Sequence, residues 1–586
     1  MKWNSRIRCA LVCLGFTVLF SAFSFRLVYL QMIKHDEYAG LAAEKHVYKQ
    51  AIYAERGSIL DANGEVLAHN TPVETVIADA THLNNREALI PLLRDALKIP
   101  ASELSEKLQG DRRYIVLQRE VPEAVAMALK EKLRAQNLRG IYFERDSTRI
   151  YPNGSMLCHV IGFTDFEHRG IQGVESSMEE YLHGQDGFRF IEHNRAGQEL
   201  VLYRGRERHP RHGYQVHLTI DLNLQNIVEN EIDAAMREFT PKTATIILMR
   251  PQTGEILAMA NRPHFDLNQR SEAKPEEMKN RAIIDRMEPG STFKIVPAAA
   301  ALNEHKVRPE TTIFCENGLW NYGGTPLHDH KGYGELSVRD VLVKSSNIGA
   351  AKLAISVGDQ KFYEYIRRFG FGERSGIELP GENGGRIASP RSWSKISITR
   401  IPMGHEIAVT PLQMASAMAT IANGGKLITP RIVKSITKED GKTVTFAPVV
   451  VRQVISPETA AQIGNALRGV VSDRGTAAAA AVPGFTICGK TGTAQKVDPK
   501  GGYQHGKYLV SFAGYLPSEQ PEFVGLVVLD DAQTAKPELN YGGLVAGPIF
   551  SRIAEKAARY LDLEPHEEVG KPPVAGRVAL TNAPRR

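Results

Sequence analysis

The run from Cys9 to Ile33 is apolar apart from Arg26 and a few small or polar side chains, and it follows Lys2, Arg6 and Arg8. At 1.5 Å per helical residue that length crosses the roughly 30 Å hydrocarbon core of a bilayer. Arg26, near one end, can extend its guanidinium to the interface. The basic residues in front predict residues 1–8 as a cytoplasmic tail, 9–33 as a transmembrane anchor and everything after 34 outside. No convincing small-x-small cleavage site follows the apolar core, so an uncleaved anchor is the expectation.

The whole chain has 586 residues, 42% hydrophobic and 24% charged, enough for more than one domain. The net charge of +6 is spread thinly, with no Lys/Arg block and no aromatic-interleaved stripe, which argues against a nucleic-acid partner. Cys9 and Cys13 lie in the anchor, and Cys158, Cys315 and Cys488 are far apart. That spacing excludes a dense disulfide framework or a zinc knuckle.

Residues 34–50 predict a helical stalk. From Ala51 to Asp61 and on through Asn63-Gly64 into Val66-Leu67-Ala68 the pattern predicts a hairpin with a type I′ turn. Residues 86–136 carry helical apolar spacing, as in Leu89, Leu92-Leu93 and Ala96-Leu97, before short strands near 149–175. Residues 34–213 are therefore expected to form a stalk and a mixed α+β pedestal.

Near 214 the pattern changes. Val216–Ile220 predicts a strand, Asp221 an N-cap, and Leu222–Phe239 an amphipathic helix. Ala244–Met249 and Glu255–Ala260, joined through Pro251-Gln252-Thr253-Gly254, predict an antiparallel hairpin. Phe485–Ala494, Leu509–Tyr515 and Phe523–Leu529 predict a meander, closed by a helix near 549–560. The Pro-rich, charged segment 562–586 is expected to be disordered.

Chemistry concentrates in three patches. Ser291 opens an apolar helix behind Pro289-Gly290, and helical spacing puts Lys294 on its face. A lysine partly desolvated there can be held neutral and take the serine proton. Ser-x-x-Lys also occurs at Ser271/Lys274, Ser392/Lys395 and Ser435/Lys438, so the spacing alone says little. Ser345-Ser346-Asn347 falls between a helix capped by Ser337 and ending at Lys344 and a second helix, Ile348–Ser356. Lys490-Thr491-Gly492-Thr493 lies on a strand whose period of two puts both threonine hydroxyls on one face. Gly492 between them leaves room for a ligand along the strand. His328-Asp329-His330 looks ligand-like, but no third ligand is nearby, and neither metal nor cofactor is expected.

Together these patches carry the Ser-x-x-Lys, Ser-x-Asn and Lys-Thr-Gly signature shared by class A β-lactamases and penicillin-binding proteins. From 214 to 561 the chain resembles the transpeptidase domain of class B penicillin-binding proteins, including Tyr541-Gly542-Gly543 and Ala546-Gly547-Pro548. The preceding region is similar to their "dimerisation" pedestal through Arg56-Gly57…Asp61, Arg149-Ile150-Tyr151-Pro152 and Gly170…Gly173-Val174-Glu175. Asn347, where elongation-type relatives tend to carry Asp, makes the chain look closest to the division-type, FtsI-like branch.

The resemblance implies an α+β architecture: a transmembrane helix, an elongated pedestal, then a β-lactamase-like antiparallel sheet flanked by helices. It implies a peptidoglycan D,D-transpeptidase of septal wall synthesis. Ser291 would be the nucleophile, Lys294 its proton acceptor and Ser345, with Lys490, the shuttle to the leaving amine. Asn347 would hold the substrate amide, Thr491 and Thr493 the donor carboxylate, and backbone N–H groups of Ser291 and Thr493 the oxyanion. The implied ligands are stem peptides and, covalently, β-lactams. The implied partners are a SEDS-family membrane glycosyltransferase and other division proteins at the bacterial cytoplasmic membrane. A D,D-carboxypeptidase, a β-lactam-responsive hydrolase or sensor, or a divisome scaffold could carry the same motifs. The long pedestal and single anchor argue against the first two. His405-Glu406 departs from the Gly-x-Gly common in relatives, and Glu406 receives no role. Arg250, where relatives often carry Asp, is expected to be structural.

Overall fold

The computed structural model describes residues 5–38, 47–192, 207–498, 502–535 and 539–565. It divides into two units, Met1–Glu55 with Gly184–Gly213, and Arg56–His183 with Tyr214–Arg586.

In the first unit one helix runs from Ser5 to Ile33, 29 residues whose most apolar 18-residue stretch has a mean hydropathy of 2.0 and is not buried by protein, long and apolar enough to cross a membrane. It extends four residues ahead of the predicted anchor, through Arg6 and Arg8. The predicted stalk is helical only at 35–38, while Val47–Ile52 is a strand antiparallel to Gly187–Glu192, and 39–46 lie outside the described residues. Ala51 stands opposite Phe188 in this register. The strand pairing replaces the helix that the sequence suggests for these residues.

The second unit holds a seven-stranded sheet and the catalytic-type sheet. In the former, Ile59–Leu60 pairs with Val66–Ala78 as expected, but the turn is not type I′: Gly64 has φ of +94° and Asn63 stays at negative φ. Asp61 makes the turn instead, its Oδ1 accepting from Asn63 N and Glu65 N. Gln215–Leu218 runs parallel to Ile59–Leu60 and antiparallel to Val433–Thr437, so one sheet joins distant parts of the chain. The 86–136 region is helical at Arg86–Leu97, Ala101–Lys107 and Glu123–Ala135, but Ile115–Pro122 is a strand. There Ile115 and Leu117 alternate into the core while the flanking helices supply the apolar periodicity.

Arg56, Arg149, Tyr151 and Glu175 converge inside this unit. Glu175 is fully buried and accepts from Arg56 Nε and Arg149 Nε, both at 2.7 Å. Arg56 also reaches Glu179 at 2.6 Å, and Arg149 Nη1 donates to Asn70. A side chain on Gly170 would collide with the Glu175 carbonyl, and one on Gly173 with the 160–162 backbone, so those glycines allow the close approach.

The second, five-stranded sheet comprises β1 (Thr243–Met249), β2 (Ile256–Arg262), β3 (Cys488–Val497), β4 (Tyr503–Leu516) and β5 (Phe523–Asp530), in order β2-β1-β5-β4-β3 and antiparallel throughout. Strands β1 and β5 are buried nearly end to end, as strands covered on both faces must be. Helices α1 (Leu222–Phe239) and α7 (Ala546–Tyr560) pack on each other and on the sheet. Around the site stand α2 (Ile295–Asn303), α3 (Val338–Lys344), α4 (Asn347–Val357), α5 (Pro411–Ala422) and α6 (Pro457–Val470). Asp221 caps α1 by accepting from Asn223 N and Leu224 N, and Ser337 caps α3 through Asp340 N, both as predicted. All five cysteines are free. Residues 566–586, most of the expected disordered tail, lie outside the described residues.

Candidate active site

Ser291 sits in a 3₁₀ turn, Gly290–Lys294, that leads into α2. In that geometry residues three apart eclipse, so Ser291 and Lys294 align along one edge. Ile295, Val296 and Ala298–Ala301 root α2 in the core and leave the turn no freedom to drift. Lys294 is completely buried, whereas Lys274, Lys395 and Lys438 of the other three Ser-x-x-Lys matches are exposed. Burial is what separates the motif from its look-alikes.

The second patch is brought to the first by the end of α3. Ser345 closes α3 at φ +59°, a left-handed conformation unusual outside glycine, and Ser346 caps α4 by accepting from Gly349 N. This bend aims Ser345 Oγ and Asn347 Oδ1 at the lysine. Lys294 Nζ donates to Ser345 O, to Ser345 Oγ at 3.2 Å and to Asn347 Oδ1 at 2.7 Å. From the opposite side Lys490, also fully buried on β3, donates to Ser345 Oγ at 2.9 Å and to Thr491 O at 3.2 Å. Asn347 Nδ2 donates to His328 O, so both ends of this amide are engaged within the protein.

Neither lysine has an ion pair among the described residues. Burial pushes the Lys294 amine down to about 7, against the upward pull of the Asp329 carboxylate. Burial, then the neighbouring Lys294, drives Lys490 well below the usual lysine value. A charged Lys294 spends its three donors on Ser345 and Asn347. A neutral one has a lone pair to offer the Ser291 hydroxyl, which makes no hydrogen bond among the described residues.

β3 is the edge of its sheet, so part of its backbone is open for an extended ligand to pair with. Thr491 Oγ1 lies 3.0 Å from Thr476 Oγ1, and Thr493 Oγ1 accepts from Gly542 N at 3.1 Å. The sequence reading assigns Gly492 to ligand clearance along the strand. In the fold, a Cβ there would meet Ser511 Oγ at 2.3 Å, and Pro289 O and Thr292 Cγ2 at 3.0 Å. Its smallness therefore lets β3 pack against the nucleophile turn.

Two contributors escape the motifs. Asp329 holds the Ser345–Asn347 bend through Ser346 Oγ and the backbone N–H groups of Asn347 and Ile348. Glu288, just ahead of Ser291, accepts from Glu406 N at 3.0 Å, and its Oε2 lies 3.7 Å from His405 Nδ1. Burial raises the Glu288 carboxyl to about 7 and lowers His405 to about 4. Tyr503 reaches His405 Nδ1 at 2.8 Å. Gly404 approaches so closely that a Cβ would strike Gly290 N and O, which ties the 403–406 loop to the nucleophile turn.

The comparisons with known proteins agree with this geometry. Residues 244–555 match the penicillin binding protein transpeptidase domain, and 51–218 the penicillin-binding protein dimerisation domain. The chain is 33% identical to the peptidoglycan D,D-transpeptidase FtsI of Escherichia coli K12, over 96% of this chain and 93% of that protein. The chain belongs to the FtsI-like class B penicillin-binding proteins. This class B penicillin-binding protein is also 31% identical to the probable peptidoglycan D,D-transpeptidase PenA of Neisseria meningitidis serogroup A, over 96% of one chain and 94% of the other. Its fold matches the crystal structure of penicillin-binding protein 3 of Mycobacterium tuberculosis complexed with aztreonam, with a TM-score of 0.69 at 27% identity, covering 89% of this chain and 99% of that one.

Proposed function

We propose that this chain is a peptidoglycan D,D-transpeptidase working through an acyl-enzyme on Ser291. The observation that carries the reading is Ser345 Oγ accepting from two buried, unpaired lysines at 3.2 and 2.9 Å, one of them a single 3₁₀ step from Ser291. Neutral Lys294 takes the Ser291 proton as Oγ attacks the carbonyl of the penultimate D-alanine. The proton passes through Ser345, with Lys490 behind it, to the amine of the departing D-alanine. An amine of a neighbouring stem then attacks the ester, forms the crosslink and returns Ser291 to its hydroxyl form. Backbone N–H groups of Ser291 and Thr493 stabilise the oxyanion, a type of contact whose loss costs roughly 3–4 kcal/mol. Thr491 and Thr493 meet the donor carboxylate, and Asn347 exchanges its internal partners for the substrate amide.

The family supports β-lactams as covalent inhibitors. We extend the reading to the sequence divisions: tail 1–8, anchor 9–33, stalk and pedestal 34–213, transpeptidase domain 214–561 and a tail to 586. The anchor would hold the enzyme in the cytoplasmic membrane with its N-terminus inside, beside a SEDS-family glycosyltransferase at the septum. Fluorescent penicillin should label the wild type and not Ser291→Ala; equal labelling would remove Ser291 from its role. Crosslinked dimers among the products separate a transpeptidase from a carboxypeptidase, which would release tetrapeptide alone. A fluorescent fusion along the side wall rather than at mid-cell would refute the septal assignment.

A further inference from the structure

The tripeptide His328-Asp329-His330 stands out in the sequence and has no part in the chemistry above. It has no metal-binding company: among the described residues no three His, Cys, Asp or Glu side chains are grouped to hold a metal ion. What Asp329 grips is the bend that carries Ser345 and Asn347. Its Oδ2 accepts from Ser346 Oγ at 2.6 Å, and its Oδ1 from the backbone N–H groups of Asn347 and, at 3.1 Å, Ile348. Those amides open α4, where donors lack helical partners and a negative charge is favoured. Asp329 is itself fixed by donating its N–H to Gly318 O at 3.0 Å, and the neighbouring His328 carbonyl takes Asn347 Nδ2.

We propose that Asp329 is a positioning residue for acyl transfer: it clamps Ser346, Asn347 and Ile348 so that Ser345 Oγ and Asn347 Oδ1 meet Lys294, and it keeps a carboxylate behind that lysine. The proposal rests on the reading of Ser291 as nucleophile. Ser345 is held at a positive φ that three external hydrogen bonds to the following residues help to maintain. The charge acts as well as the geometry. Asp329 pulls the Lys294 amine upward while burial pushes it down.

The other groups around this pair leave that balance to Asp329. Cys315 and Tyr333, both facing Asp329, are raised by burial and by its charge and stay neutral near pH 7. Lys490 is driven strongly toward its neutral form and His405 is lowered to about 4. Lys352 is occupied by Glu316. Glu288, raised to about 7 by burial, is engaged by Glu406 N and lies 3.7 Å from His405, and the charge that acts on Lys294 is that of Asp329.

The test is the second-order rate constant for acylation by fluorescent penicillin, measured on the full anchored chain in detergent from pH 5 to 9. In the wild type the rate rises as Lys294 loses its proton. Asp329→Asn should lower the rate about tenfold or more at pH 8 and move the rising limb to lower pH, because the charge favouring protonated Lys294 is gone. Ser346→Ala removes one partner and keeps the carboxylate, so it should slow acylation less and leave the limb in place. It also keeps the proposal testable should Asp329→Asn not fold. A slowed Asp329→Asn with an unshifted limb, an Asp329→Asn with wild-type rates, or a Ser346→Ala with no loss would overturn the proposal. Labelling of Ser291→Ala would instead overturn the nucleophile assignment on which it rests.

Discussion

The pedestal and the candidate active site both bury charge-bearing side chains, and they treat them in opposite ways. Around Glu175 two arginines meet one carboxylate at 2.7 Å on either oxygen, Glu179 gives Arg56 a second carboxylate at 2.6 Å, and backbone and amide groups take further donors. Around Ser345 two fully buried lysines share neutral oxygens and no carboxylate. Arginine cannot give up its proton, so burying it demands a partner, and the result is a rigid strut. Lysine can, and denying it a partner makes it a base. The same burial stabilises one region and activates the other.

The largest expected effect breaks the active-site half of that contrast. Lys294→Arg keeps the charge and the donors but cannot become neutral, so acylation by penicillin should fall by about 10²- to 10⁴-fold while the protein stays folded by circular dichroism. A rate within tenfold of wild type would mean that Lys294 is not the base. Glu175→Gln breaks the other half. It leaves two buried arginines short of their counter-charge and should cost about 3–5 kcal/mol in denaturant unfolding. The folded fraction should still acylate at the wild-type rate, since no residue of this cluster contacts the site; a parallel loss of rate would show that the two regions are coupled.

How much of this was legible in the sequence follows the reach of each interaction. Caps at Asp221 and Ser337, the β1–β2 hairpin and the bend at Ser345 depend on near neighbours, and all were read from them. The grouping of Ser291, Ser345 and Lys490 was read through the recurrence of three motifs, not through spacing. Asp329 stands out in the sequence only as part of a ligand-like tripeptide, and Glu288 carries no role there, because their partners are fixed only by tertiary folding: one grips α4, the other the 403–406 loop. In the sequence the pedestal's key residues are separate marks of resemblance. Their convergence on one carboxylate, 119 positions from Arg56 to Glu175, left no local trace. The strand at 115–122 and the strand at 47–52 were hidden by helical spacing in the residues beside them.

A milder change in pH sharpens the contrast without mutation. With Lys294 near 7, acylation should climb through neutral pH and level off above it. Glu288 also titrates near 7, so Glu288→Gln is the control: if the limb survives in that variant it belongs to the lysine, and if it vanishes it belongs to the carboxylate.

The smallest expected effect concerns stability, where the sign separates the two regions. The folded-state pKa of Lys294 lies below its unfolded value of 10.5, so between about 7 and 10.5 the unfolded chain binds the extra proton. Stability from this group is therefore complete only above the unfolded value and is lost as pH falls toward 7. Lys294→Met removes the penalty and fills similar volume, at the loss of the contacts to Ser345 and Asn347. It should abolish labelling yet raise unfolding free energy at pH 7 by about 1 kcal/mol, with a gain that shrinks toward pH 10. Glu175→Gln, on a paired charge, must move stability the opposite way. If Lys294→Met is instead destabilising by as much as Glu175→Gln, the buried lysine is a structural member like the arginines, and the distinction between strut and base fails.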